Sequence, residues 1–307
     1  MKIAVVGSNM VDLTAYITRM PAPGETLEAP DFALGCGGKG ANQAVAAALC
    51  GADVMMVSRV GADIFADNTI RNFQIYGVDT THVKKVEGMS SGVAPIFVDQ
   101  HGQNSILIIK GANNALTPAE VDAAEANIRS CGLIILQLEI PLETVYHTIE
   151  LGRRSGIPVL LNPAPATKEL AIDRVCACDF LPNETELAIL TEMPTATQED
   201  VEHAATFLLE KGLKNVIVTL GERGVLWMTK AEKYYVPACR VDATDTSGAG
   251  DAFIGCFSSC YVQDGDVLAA IRKASAFAAL SVTRKGTQMS YPDRAAFAAF
   301  LAQQGRQ

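Results

Sequence analysis

The stretch Asp245-Thr246-Ser247-Gly248-Ala249-Gly250-Asp251 runs into an apolar helical pattern, AFIGCFSSCYV. Glycine amides at such a helix start form an anion site, positive where a transferring phosphoryl group builds charge. Asp251 falls in the first turn, close enough to accept a proton from an attacking hydroxyl. The same residue types also suit an ordinary capped helix start in which the dipole favours an Asp. These residues alone leave both readings open. A second stretch, Gly35-Cys36-Gly37-Gly38-Lys39-Gly40-Ala41-Asn42-Gln43, gives a loop whose backbone can approach a ligand closely. Lys39 and Asn42 add hydrogen-bonding groups at a second helix start. This loop contains a GxGxxG match, but it lies about 28 residues beyond the first strand, so dinucleotide binding is discounted. A Walker A loop also fails, because Gly40 follows Lys39 where Ser or Thr is needed.

Positioning these loops requires an ordered scaffold. Near-continuous apolar runs at 3–7, 54–61, 133–138, 158–163, 179–183 and 216–221 read as parallel strands buried on both faces. Helical patterns alternate with them. One opens at Thr117, with Pro118 at the first helical position and Glu120 as the reciprocal cap. ETELAILTEM and EDVEHAATFLLEKG continue the alternation, which predicts a parallel sheet with helices on both faces. Two regions depart from it. Residues 13–34 carry little helical signal. GVAPIFVD and NSILIIK flank the turn QHGQ and alternate as an antiparallel pair would. These segments predict a small second sheet standing off the main one, within a single domain spanning 1–307.

The bulk numbers exclude several classes. The chain has 307 residues, 49% hydrophobic and 19% charged, enough for a sizeable core. A formal net charge of −9 argues against nucleic acid or anionic membranes as partners. The apolar run at 3–6 is too short for a signal peptide, and no run reaches a membrane span. A cytoplasmic protein is expected. The eight cysteines show no CxxC spacing and the four histidines lie apart from them, so free thiols are expected rather than a zinc site.

Taken together, the two glycine motifs resemble the signatures of the ribokinase family, the PfkB-type carbohydrate kinases. GGKGANQA stands at 37–44 and DTSGAGD at 245–251. The resemblance continues through GSNMVD, QLEIP, NPAPA, PNETE, TLGERG and VTRKGTQ, in family order over essentially the whole chain. It implies a three-layer α/β/α fold with a mostly parallel central sheet and a small β-sheet lid, formed by about 12–36 and 90–110. It implies ATP-dependent phosphorylation of a sugar and a homodimer paired through the lid. Residue by residue, it implies Asp251 as general base and Gly248, Ala249 and Gly250 as the anion hole. Met10, Asp12, Gly38, Lys39, Asn42 and Glu139 become sugar contacts. Asn183, Thr219, Gly221, Gly224, Gly250 and Ser275 become nucleotide-binding positions, and Glu186 organises Mg²⁺. A potassium site is implied at Asp245, Ser247, Ser281, Arg284, Gly286 and Ser290.

The choice of sugar turns on the stretch 7–12. Ribose kinases of the family carry Asn where this chain has Met10. An Asn amide can bond a sugar 2-hydroxyl, whereas Met offers a soft apolar surface suited to a methylene. The resemblance therefore points to the branch that phosphorylates 2-deoxy-D-ribose at its 5-hydroxyl. A kinase acting mainly on D-ribose and a catalytically silent sugar sensor are the alternatives.

Overall fold

The apolar runs sit where both faces of a sheet are covered, as shown by a computed structural model that describes residues 1–100 and 103–304. In chain order the described residues form β1 (Lys2–Val6), β2 (Met10–Tyr16), β3 (Asp31–Gly37), α1 (Lys39–Leu49), β4 (Asp53–Gly61), α2 (Ala66–Ile75) and β5 (Asp79–Val86). There follow β6 (Val93–Val98), β7 (Asn104–Ile106), α3 (Pro118–Ile128), β8 (Leu133–Leu136), α4 (Leu142–Ser155), β9 (Val159–Leu161) and β10 (Asp179–Phe180). The chain continues with α5 (Glu184–Thr191), α6 (Gln198–Glu210), β11 (Asn215–Thr219), β12 (Val225–Met228), β13 (Lys233–Val236), α7 (Ala249–Asp264), α8 (Val267–Ser281) and α9 (Arg294–Gln304).

The main sheet has the order β13-β12-β11-β10-β9-β8-β1-β4-β5. It is parallel from β5 to β11, and β12 and β13 add antiparallel strands at one edge. Alternate residues of each inner strand serve opposite cores. Ala4, Val6, Met55, Val57, Ile134 and Leu136 pack with α3, α4 and α6. Ile3, Val5, Val54, Met56, Leu133 and Ile135 pack with α1, α2, α7 and α8. This is why these strands carry no polar alternation. The second sheet has the order β3-β2-β6-β7, its two segments joined by a parallel β2–β6 pairing. β6 and β7 pair antiparallel as expected; the turn expected at QHGQ includes residues 101 and 102, outside the described residues. No helix among the described residues is long and apolar enough to cross a membrane.

Some elements differ from the sequence expectation. The expected strands at 158–163 and 179–183 shorten to Val159–Leu161 and Asp179–Phe180, and their polar ends turn toward the site. Pro118 does open α3, but Glu120 does not cap Thr117. Its carboxylate pairs instead with Arg59, whose guanidinium is buried and also donates to the Ser58 carbonyl at 2.9 Å. A buried cation left without a counter-charge is costly, so the ion pair wins over the cap.

α1 and α7 carry the two glycine motifs, and they pack closely. A Cβ at Gly255 would lie 2.6 Å from the Gln43 carbonyl and 2.7 Å from the Ala47 nitrogen. The small residues of α1 (KGANQAVAAAL) permit the same approach from the other side. The two helix N-termini therefore open at one place, beside the C-terminal ends of the parallel strands, where open α/β sheets bind ligands.

Candidate active site

Gly248 caps α7 in the left-handed conformation, φ +73°, which a side chain would resist. Its carbonyl accepts the Tyr291 hydroxyl at 3.1 Å, so a buried aromatic pins the loop. Gly248, Ala249, Gly250 and Asp251 line one cavity together with Glu186 and Lys39. A Cβ built on Gly250 meets nothing within 4 Å, so that face of the helix start is open. First-turn amides of a helix lack intrahelical acceptors, and here they border the cavity.

Asp251 is only 7% exposed. Its two carboxylate oxygens accept from Asn42 Nδ2 and Gln43 Nε2, each at 2.9 Å. Both donors are neutral amides on α1. They fix the carboxylate without placing a formal positive charge on it.

A second carboxylate, Glu139, is 3% exposed. It accepts from Ser8 Oγ at 2.5 Å and from the Lys39 backbone nitrogen at 2.9 Å. It thereby ties the end of β8 to the start of α1. The Gly38 that precedes this helix has φ +90°, and a Cβ there would lie 2.7 Å from the Met10 nitrogen. Only glycine lets β2 and α1 come this close.

Asp12, on β2, packs against Gly37 and receives the Thr287 hydroxyl at 3.4 Å. Its carboxyl is pushed up to about 6, first by burial, against the Thr287 bond and helped by the charges of Glu139 and Asp251. Burial pulls the Lys39 ammonium down, but the three carboxylates of Asp251, Glu139 and Glu186 outweigh it and hold it above its ordinary value. Met10, the first residue of β2, is 2% exposed, with its Sδ 3.8 Å from Asn113 Nδ2.

At the other end of the cavity Asn183 and Glu186 form a full capping box at the start of α5. Glu186 N donates to Asn183 Oδ1 at 2.8 Å, and Asn183 N donates to Glu186 Oε2 at 2.9 Å. One Glu186 oxygen stays outside the cap. Burial raises this carboxyl, against the Asn183 bond and Lys39, with Asp251 adding to the rise. A half-buried carboxylate lining the cavity, with one hard oxygen outside the cap, fits Mg²⁺. Thr219 ends β11 on the same cavity wall, and Gly221 (φ +55°) and Gly224 (φ +95°) bracket the turn after it. Ser275, on α8, has a buried hydroxyl with no protein partner.

The loops 245–247 and 281–290 converge beside the α7 start. Asp245 Oδ1 accepts from Ser247 N at 2.9 Å and Oδ2 from Gly286 N at 2.8 Å. Arg284 N closes back on the Ser281 carbonyl at 3.2 Å, and Ser290 caps the turn on Thr287 O. These bonds fold the two loops onto each other, with the Asp245 carboxylate as the hub.

Four buried amides around Asp251 escaped sequence reasoning although they lie inside the quoted motifs: Gln43, Gln137, Asn162 and Gln288. Gln137 donates to Gln43 at 2.6 Å, Asn162 accepts from Gln43 at 3.2 Å, and Gln288 donates to Asn42 at 2.9 Å. Their presence within the motifs was a signal, but nothing in the spacing tells an amide that meets the substrate from one that meets another amide.

Comparison with known proteins is consistent across three measures. The family model described as pfkB family carbohydrate kinase matches residues 1–294. A deoxyribokinase of Salmonella typhi is 61% identical over 303 residues, covering 98% of this chain and 99% of that one. A ribokinase of Schizosaccharomyces pombe is 42% identical over 301 residues, covering 94% of each. Among solved structures, an Arabidopsis thaliana ribokinase complexed with ribose and ATP superposes with a TM-score of 0.91 at 32% identity, covering 97% of this chain and 98% of that one.

Proposed function

The chain belongs to the pfkB family of carbohydrate kinases, and from that membership we propose that it transfers the γ-phosphate of ATP to the 5-hydroxyl of 2-deoxy-D-ribose. The observation that carries this reading is the buried Asp251 carboxylate, held on both oxygens, at the open N-terminus of α7. Asp251 takes the proton of the 5-hydroxyl as its oxygen bonds to the γ-phosphorus. The bond from that phosphorus to the β–γ bridging oxygen breaks, and ADP leaves with the electron pair. The amides of Gly248, Ala249 and Gly250 face the equatorial phosphoryl oxygens, where charge accumulates.

Asp12, Glu139, Gly38, Lys39 and Asn42 hold the sugar. The Asn42 Nδ2 carries two hydrogens, one given to Asp251, which leaves one for a sugar hydroxyl. Asn183, Thr219, Gly221, Gly224 and Ser275 receive the nucleotide. Kinases of this family use ATP with Mg²⁺, and Glu186 would hold that ion, which supplies neutralising charge to the phosphates. Asp245, Ser247, Ser281, Arg284, Gly286 and Ser290 would hold potassium and steady the loop that precedes the anion hole. The protein works in the cytoplasm, where ATP is supplied.

ADP release with Mg-ATP and potassium, measured against 2-deoxyribose, ribose, fructose and adenosine, tests the assignment. Highest kcat/KM on 2-deoxyribose supports it. Preference for ribose moves the chain to the ribose-specific alternative, and no turnover of any sugar removes the enzymatic reading in favour of the sensor.

Sugar binding should depend on pH through Asp12, which must be ionised to accept from a hydroxyl. Because burial raises its pKa to about 6, the carboxylate is present above that pH and lost below it. Calorimetric affinity for 2-deoxyribose should fall up to about tenfold per pH unit below 6. A flat profile from pH 7 to 5 removes Asp12 from the sugar site.

The second sheet suggests the homodimer. Phe32 is 60% exposed, Leu34 52% and Leu107 60%, an apolar set on the lid where two copies can pair. Sedimentation velocity should give a dimer that Leu34→Glu converts to monomer. A monomeric parent protein at micromolar concentration overturns the pairing.

A further inference from the structure

The hydrogen bonds around Asp251 do not stop at the first amides. On one side Asn42 Nδ2 donates to Asp251, Gln288 Nε2 donates to Asn42 Oδ1 at 2.9 Å, and Asn72 Nδ2 donates to Gln288 Oε1 at 2.7 Å. On the other side Gln43 Nε2 donates to Asp251, and Gln137 Nε2 donates to Gln43 Oε1. Both chains have one polarity. A carboxylate only accepts, so each neighbouring amide must turn its NH₂ inward and its carbonyl outward. The outward carbonyls of Asn42 and Gln43 each accept from the next amide. Asn42, Gln43, Gln137 and Gln288 are all buried, so water cannot replace a missing member.

We propose that Gln288 is a positioning residue for the phosphotransfer: it locks the Asn42 amide so that Asn42 can only donate to Asp251. Without that lock Asn42 can rotate by half a turn about its last bond. Its carbonyl would then face the carboxylate and repel it. The chain also serves the reaction in a second way. Neutral donors on both oxygens orient the base while the cavity side of the carboxylate stays free to accept the substrate proton. Once Asp251 has taken the substrate proton, neither amide can accept it, because both present only N–H groups. The proton must stay on the side that faces the cavity, from which it can leave with product or to water. Gln288 belongs to the turn Gln288–Ser290, next to the loop that carries Gly286, so the lock extends from the α7 side of the site to α2.

This inference rests on Asp251 as the base in the reaction proposed above, and the test separates the two. The key variant is Gln288→Glu, which keeps the shape and the acceptor for Asn72 but removes the donor to Asn42. Burying a carboxylate at a 3%-exposed position carries a stability cost of its own, which the melting temperature reads separately from kcat. The lock predicts that Asn42 turns its NH₂ to the new carboxylate and its carbonyl to Asp251. The expected result is a fall in kcat of about tenfold or more with the KM for ATP unchanged, since losing a hydrogen bond to a charged group has that magnitude. Gln288→Met, which removes both polar ends and inverts nothing, should lose less, roughly threefold to tenfold. It carries the test if Gln288→Glu melts early. Parent protein and Asp251→Asn are assayed alongside. An inactive parent, or an active Asp251→Asn, removes the kinase reading and this inference with it. A parent that is active, an Asp251→Asn that is not, and two Gln288 variants with the parent's kcat overturn the lock alone.

Discussion

Asp251→Asn lowers kcat by about 10²- to 10⁴-fold, the range for removing a general base, while sugar affinity measured by calorimetry stays within a few-fold. The split follows from the geometry. The substitution preserves volume, so α7 still starts at Gly248 and the helix amides still line the cavity. What is lost is the proton acceptor. The new side chain also carries an NH₂ where Asn42 or Gln43 already presents one, so one of these contacts becomes donor against donor. Because both amides belong to buried chains, neither can turn without breaking its outer bond. Some of the loss therefore comes from displacement rather than from chemistry, which places the expectation toward the larger end. Residual activity would reflect the α7 amides, which still border the cavity. A variant within tenfold of the parent's kcat would falsify the assignment of Asp251 as base. The readout is initial-rate ADP release at saturating ATP and sugar, with the melting temperature confirming the fold.

The sequence made the scaffold visible where one physical signal dominates. Runs such as 3–7 and 133–138 are apolar at every position because both faces are covered, and nothing else at that length explains them. Asn183 and Glu186 entered through the family resemblance of PNETE, and the structure gives their spacing a local cause, a capping box that fixes Glu186 beside the cavity. Elements whose stability comes from tertiary pairing were less visible. β5 reads DTTHVKKV, with one face wet at the sheet edge, and its pairing with β4 shifts register between Met55 and Val57. The β12–β13 hairpin extends a parallel sheet with antiparallel strands, held in part by Trp227 stacking on Tyr234 at 5.3 Å. β5 and β13 (KYYV) lack the continuous apolar signature, and β12 (VLWM) has it in a run too short to stand out.

Glu120 shows the limit most directly. Its place after Thr117 and Pro118 satisfies the capping pattern, yet a buried arginine from β4 competes for the same carboxylate. Local spacing cannot weigh a partner 61 residues away in sequence. The amide chains around Asp251 have the same character: Asn42 and Gln288 meet across 246 positions and Gln43 and Gln137 across 94. Each was within a quoted motif, but its donor and acceptor roles exist only once the fold has set the carboxylate at the centre.

Met10→Asn should raise the kcat/KM of ribose relative to 2-deoxyribose by roughly 10²-fold, the discrimination carried by one hydroxyl-sized feature in a pocket. In the parent protein ribose should remain a poorer substrate rather than a non-substrate, because an apolar surface penalises an added hydroxyl only moderately. Met10 begins β2, two residues before Asp12, and pairs with Gly37 of the first glycine motif. Its thioether is wedged beside Gly92 and the Asn113 amide, which already donates to the Asn9 carbonyl at 2.7 Å. A side chain shortened to Asn leaves room on the sugar side and brings an amide able to bond a 2-hydroxyl. It also leaves that amide unpaired when 2-deoxyribose is bound, so the ratio moves from both directions. The alternative is that Met10, at 2% exposure, is a core residue whose sulfur never meets sugar. In that case the variant destabilises the junction of β2 and α1, lowers the melting temperature and reduces both activities alike. The two sugars measured side by side on parent and variant distinguish these outcomes: a moved ratio assigns Met10 to the pocket, and an equal loss on both assigns it to the core.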